Sequence, residues 1–255
     1  MSDFNTENSN EALEFRTRIM PEALSVQTAH VSPRNAKMGN IPSFSTLPGA
    51  GYMVMGDGRA VIDVPGTCGG ACAECMRTCY ACDTVRRYTH TAAAYGRNTR
   101  IVRAGEWGKL ERMVPALIDI NDRPLFRWHV AGELETAEQA ACYCRIMAAR
   151  PAVMFGIYTR RPELLAAAFE AEGRPANICI SISLYNRLPT EAETEQAKAI
   201  GARFFVTDAG APELAGLPHC PAVDERGHST GITCDKCRIC YRRGRTCAIM
   251  AVTEH

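Results

Sequence analysis

From residue 124 to residue 208 the chain alternates between two hydrophobic periods. Short apolar runs with period two are separated by longer stretches with a period near 3.6. "PLFRWHVAG" (124–132), "AVMFGIYT" (152–159), "NICISISLY" (177–185) and "RFFVTD" (203–208) predict strands. Between them, "TAEQAACYCRIMAAR" (136–150), "RPELLAAAFEAEG" (161–173) and "TEAETEQAKAIG" (190–201) predict helices. The end signals agree. Thr136 with Gln139, and Thr190 with Glu193, have capping-box spacing. Pro162 fits a first helical turn, and Gly173 and Gly201 fit helix ends. Upstream, 84–97 and 106–120 predict helices, the second disturbed by Pro115. The segment 35–49 predicts an ordered loop. Residues 51–65 predict a hairpin turning at Asp57-Gly58.

Strands alternating with helices imply βα units and a largely parallel sheet, an α/β fold. Right-handed connections curl about five or six such units into a partial (β/α) barrel. Three segments are expected: an N-terminal arm (1–33), the barrel (34–210) and a cysteine-rich C-terminal extension (211–255). Within the strands, Phe126, Trp128 and Val130 share one side, and Arg127 and His129 the other. Likewise Ile178, Ile180, Ile182 and Leu184 oppose Cys179, Ser181, Ser183 and Tyr185. The apolar sets would meet helices and the polar sets would line a cavity. The competing reading is an exposed polar sheet face, but βα units cover both faces.

Composition adds little for most partners. The net charge of +1 gives no general pull toward nucleic acid, and no apolar stretch is long enough to span a bilayer. No apolar signal region opens the chain, so a cytoplasmic location is expected, where lasting disulfides are rare. The thirteen cysteines therefore point elsewhere.

Cys68, Cys72, Cys75, Cys79 and Cys82 form two overlapping C-x3-C-x2-C frames. Three thiolates in such a loop would hold a 4Fe–4S cluster with one iron free. Cys220, Cys234, Cys237 and Cys240 form a four-thiol set suited to a second cluster, with zinc as the alternative. Cys142 and Cys144 lie two apart on one helix and read as buried small hydrophobes. Cys179 has no obvious partner, and Cys247 sits near a basic tail.

"NAKMGNIPSFS", "TCGGACAECMRTCYA", "FRWHVAGELE", "FGIYTRRPELL" and "CPAVDERGHSTGITCDKCRICYR" occur in that order. Together they resemble the phage gene product 88 family, which implies a phage- or prophage-encoded protein in a bacterial host. By that resemblance Cys68, Cys75 and Cys79 are the ligands of the first set. Cys72 and Cys82 would be extras, and the hairpin at 51–64 an insertion.

More distantly, the layout resembles the radical S-adenosylmethionine (SAM) superfamily. That superfamily has a partial βα barrel, a cysteine loop after the first strand and a Gly-Gly-Glu-type strand end that binds the methionine amine. By this resemblance Gly132 and Glu133 of "VAGELE" would bind SAM, with Thr159 of "IYTRR" at a later strand end. The aromatic usual before the third cysteine is missing: Glu74 or Ala81 stands there, and Tyr80 is displaced by one.

The resemblance implies that Glu133 takes the SAM amine and that Arg127 and His129 face substrate or carboxylate. Ser181 and Ser183 would shape the pocket, and the second cluster would relay electrons or brace the barrel. Each residue has a plainer role on offer. Glu133 would favour a helix start, His129 would be a core histidine, and Arg127 would pair with a core carboxylate. The basic residues flanking both cysteine sets would grip nucleic-acid phosphates or form a solvated face. Three functions compete: an iron–sulfur enzyme acting on an unidentified small substrate, a metal-stabilised module binding nucleic acid or a protein, and an electron carrier.

Overall fold

The predicted period-two segments become adjacent strands of one sheet. In the computed structural model, which describes residues 28–53 and 62–254, six strands lie in sequence order and all pair in parallel. They are β1 (Ser43–Phe44), β2 (Leu125–Trp128), β3 (Met154–Thr159), β4 (Ile178–Tyr185), β5 (Ala202–Asp208) and β6 (Ile249–Thr253). β1 and β6 are the edges, so the sheet is open. The helices are α1 (Ala73–Arg77), α2 (Tyr80–Arg87), α3 (Thr89–Arg103), α4 (Trp107–Asn121), α5 (Ala137–Ala148), α6 (Pro162–Glu172), α7 (Glu191–Ile200) and the short α8 (Cys234–Cys237).

Local signals act as their chemistry requires. Thr190 Oγ1 accepts from the Glu193 backbone N–H, and the Glu193 carboxylate accepts from that of Thr190. At α5, Thr136 caps Gln139 in the same way, but the Gln139 carboxamide reaches back to the Glu135 N–H instead. Pro162 opens α6, and Gly201 ends α7 in the left-handed region.

Four expectations change. α4 runs unbroken through Pro115, which is buried within it. The helix expected over 84–97 is two helices that meet at Tyr88. "IPSFS" holds strand β1 rather than only a loop, and β6 is a strand that the sequence reading left unassigned. The N-terminal arm, through residue 27, and the hairpin turn at Asp57-Gly58 lie outside the described residues. At the hairpin base the Ile62 N–H donates to the Met53 carbonyl.

The strand faces divide as the alternation predicts except beyond Trp128, where Val130 packs with Met38, Ile41, Leu125 and Tyr241 instead of with Phe126 and Trp128. Phe44, Phe126, Trp128, Phe155, Ile157, Ile180, Ile182, Phe204 and Val206 enter one core with the apolar sides of α3 to α7. Each such burial stabilises by about 1.5–3 kcal/mol. Trp128 stacks on Tyr143 of α5 with centroids 3.9 Å apart. The opposite face carries Arg127, Gly156, Tyr158, Ser181 and Arg203. The C-terminal cysteine segment covers it: a Cβ on Gly156 would lie 2.9 Å from the Tyr241 ring, so only glycine admits that ring.

Candidate metal and cofactor site

Parallel strands present their C-terminal ends together, and the first cysteine segment sits there, after β1. Thr67 anchors it. Its hydroxyl bonds with Thr46, donates to the Leu47 carbonyl and accepts from the Glu133 backbone N–H at 2.8 Å. Gly132 makes this approach possible. Its φ is +79°, and a Cβ there would stand 2.0 Å from Thr46 Oγ1.

Glu133 is buried beyond the end of β2. Its Oε1 accepts from the Leu134 N–H at 2.8 Å and from Thr159 Oγ1 at 2.6 Å, and its Oε2 accepts from the Arg160 N–H at 2.7 Å. Burial pushes this carboxyl above its ordinary value, and the three donors pull it back. A carboxylate offers about four acceptor positions. Three are used, which leaves capacity on Oε2.

All thirteen cysteines are free thiols. In the first set, Cys68 is pushed up to about 12 by burial and by the nearby charge of Glu133, with Cys79 and Cys75 adding to it. Cys75 in turn feels Arg160, Cys79, Cys72 and Glu133, and burial raises it. Cys79 occupies the N-cap position of α2. The Cys82 thiol and the N–H groups of Cys82 and Ala81 hold Cys79 down to about 6, while Cys82 itself is raised. Arg160 reaches Cys72 Sγ at 3.6 Å. Cys68, Cys75 and Cys79 are thus electrostatic neighbours of one another, with Glu133 beside Cys68 and Cys75.

The second set also gathers. Cys220 is a neighbour of Cys237 and Cys240, and Cys234 of Cys220 and Cys240. Arg127 connects this set to the first. Its guanidinium lies 3.4 Å over the Tyr158 ring, and its charge is felt by Cys234 and by Tyr80 beside Cys79. Burial, with the neighbouring Cys240 adding to it, raises Tyr158 well above its ordinary value. Among the described residues no carboxylate pairs with Arg127. The donors suit a soft, thiophilic metal by type and neighbourhood. Among the described residues, however, no three His, Cys, Asp or Glu side chains close to metal-holding spacing.

His129 departs from the alternation. Its φ is +54°, so the strand ends there, and its ring lies 5.7 Å from Tyr143 instead of sharing Arg127's face. Neither ring nitrogen makes a hydrogen bond of good geometry. Burial holds it down to about 4. Ser181 is buried on the interior face and Ser183 is half-buried. Cys142 and Cys144 are buried in α5. The sequence reading missed Thr67, Tyr158 and Arg160. Thr67 and Arg160 each adjoin a residue it chose, and adjacency to a ligand or to a strand end was the available signal.

These features define a parallel α/β protein with one thiol-rich segment at the strand ends and another across the sheet face. A family model described as Gene product 88 matches residues 27–243, and the chain belongs to this phage family. No curated protein and no solved structure matches the chain. Among the described residues no helix is long and apolar enough to cross a membrane.

Proposed function

We propose that this protein is an iron–sulfur protein of radical-SAM-like type, acting on a small substrate within a partial βα barrel. The observation that carries the reading is the position of Glu133. It is a buried carboxylate at the end of the second of six sequentially ordered parallel strands, and it neighbours thiols of a cysteine segment that follows the first. Cys68, Cys75 and Cys79 would hold one 4Fe–4S cluster, and Cys220, Cys234, Cys237 and Cys240 a second. A thiol as buried as Cys68 ionises only with a compensating cation beside it, which a metal supplies.

A reduced cluster with SAM bound would supply one-electron radical chemistry. The chain's own residues bind and orient. The remaining acceptor position of Glu133 would take an ammonium N–H, and its three donors keep that carboxylate aimed without rearrangement. Gly132 holds the strand end close to Thr46 and Thr67. Ser181 and Ser183 supply hydroxyls on the interior face. The Tyr158 and Tyr241 rings exclude water there, and Arg127 sets a positive charge between the two thiol sets. His129, neutral at physiological pH and buried against Tyr143, supports the strand end rather than the reacting atoms.

The test is incubation of oxygen-free protein with SAM and a strong one-electron reductant. The reading expects 5′-deoxyadenosine to form, and Glu133→Ala to abolish both its formation and SAM binding. No 5′-deoxyadenosine with loaded wild type, or unchanged SAM binding in Glu133→Ala, overturns it.

A further inference from the structure

At the opposite, N-terminal end of strands β4 to β6 lies a cavity of about 410 Å³. Five cationic side chains line it: Arg174, Lys198, Arg203, Arg243 and Arg245. No carboxylate is among the lining residues. Like charges gather in this way at a cost, which an anion between them removes.

Arg203 is the strongest indication. It is only 6% exposed, on the sheet interior. Its Nη1 donates to the Ile239 carbonyl at 2.9 Å and its Nη2 to the Arg242 carbonyl at 2.5 Å, while its Nε has no partner. Both partners are neutral, and among the described residues no carboxylate pairs with it. That Nε is closed off from solvent, so an anion in the cavity would supply the missing counter-charge rather than the missing hydrogen bond. A buried guanidinium without a carboxylate partner is costly until it does.

The others are placed to help. Arg174 spends its Nε on the Ile200 carbonyl and keeps the rest of its fork. Lys198 pairs with exposed Glu195. Arg243 and Arg245 are exposed on either side of Gly244, whose φ of +72° turns the backbone at the rim. Planar forks match phosphate oxygens in pairs. With Lys198 paired to Glu195, four arginines remain, and one phosphate brings about two negative charges, so a diphosphate matches the lining better. The volume also lies in the range of small-ligand sites.

We propose that this cavity binds the diphosphate group of a small molecule, as in a nucleoside diphosphate. The site lies away from the first thiol set and borders the second, since Arg203 bonds the carbonyls of Ile239 and Arg242 on either side of Cys240. Its binding test does not use the iron–sulfur reading.

Titration calorimetry of the full chain, prepared without oxygen, tests it with inorganic pyrophosphate as probe. Saturable one-to-one binding, tighter than that of sulfate, is expected. The double variant Arg243→Gln, Arg245→Gln removes exposed side chains and should keep the fold, as circular dichroism will check. It should weaken binding about a hundredfold, the effect of losing two charge-assisted contacts. Arg112→Gln on α4, outside the cavity, should bind as wild type does. ADP should compete with pyrophosphate. The proposal is overturned if sulfate binds as tightly, if the double variant binds as tightly as wild type, or if Arg112→Gln weakens binding equally. It is also overturned if a single-stranded oligonucleotide lacking terminal phosphates displaces pyrophosphate better than ADP does.

Discussion

The Thr159 hydroxyl donates to Glu133 Oε1 at 2.6 Å and so ties the end of β3 to the end of β2. The bond orients a buried carboxylate that has no ion pair among the described residues. It therefore sets both the direction of that carboxylate and the ease with which it loses its proton.

Thr159→Val keeps the shape and removes the donor. Burial already raises Glu133, and this change raises it further. A carboxyl raised in the folded state binds its proton more tightly there than in the unfolded chain. Its contribution is therefore full below the ordinary value and is lost as pH rises through the folded value. The variant should cost about 1–3 kcal/mol near pH 7 and less near about pH 4. Urea unfolding at the two pH values checks this. Equal cost at both would mean that Thr159 does not act through the Glu133 charge.

His129 has the opposite sign. Burial lowers it to about 4, so the unfolded chain takes up a proton first as pH falls. Stability should be full above about 6.5 and decline toward about 4, by up to about 3 kcal/mol from this residue. His30, lowered by burial and by Arg97, adds in the same direction. The check is therefore a difference. His129→Asn, which tolerates positive φ, should show a shallower acid decline than wild type in denaturant titrations.

Two glycines with the same φ of +79° separate crowding from conformation. At Gly132 a methyl would collide with Thr46, while at Gly173 nothing lies within 4 Å. Gly173, with φ 79° and ψ 153°, lies in a region used almost only by glycine, so Gly173→Ala should cost about 1–3 kcal/mol from the backbone alone. Gly132→Ala should cost about 1–3 kcal/mol more from overpacking, and should also weaken SAM binding. Thermal unfolding of both variants measures the difference.

The legible parts of the fold were those where local chemistry and tertiary packing agree. Thr190 and Glu193 cap α7 because their spacing brings each side chain to the other's backbone N–H, and Glu193 still pairs with Arg187. The Ile178 to Leu184 alternation survives because one face meets helices. Where long-range contacts decide, the sequence misled. Pro115 is carried, buried, inside α4. β1 has only two residues, too few for any period, and exists because Ser43 and Phe44 pair with Arg127 and Trp128. "AIMAVT" was hidden beside a basic, cysteine-rich stretch, and becomes β6 by pairing with β5. At the site, cysteine spacing marked both thiol sets, and "AGE" marked the buried carboxylate. The reversal at His129 depends on a backbone angle that no residue pattern announced. The cationic cavity assembles from three separate segments of the chain.

The central claim is that thiolates from two segments hold inorganic iron. Its most direct test is an iron and acid-labile sulfide count on protein purified without oxygen. The account predicts about eight of each per chain for two four-iron clusters, about half lost in each of Cys68→Ala, Cys75→Ala and Cys79→Ala, and none lost in Cys142→Ala. Zinc in place of iron, or iron indifferent to those three cysteines, would contradict it.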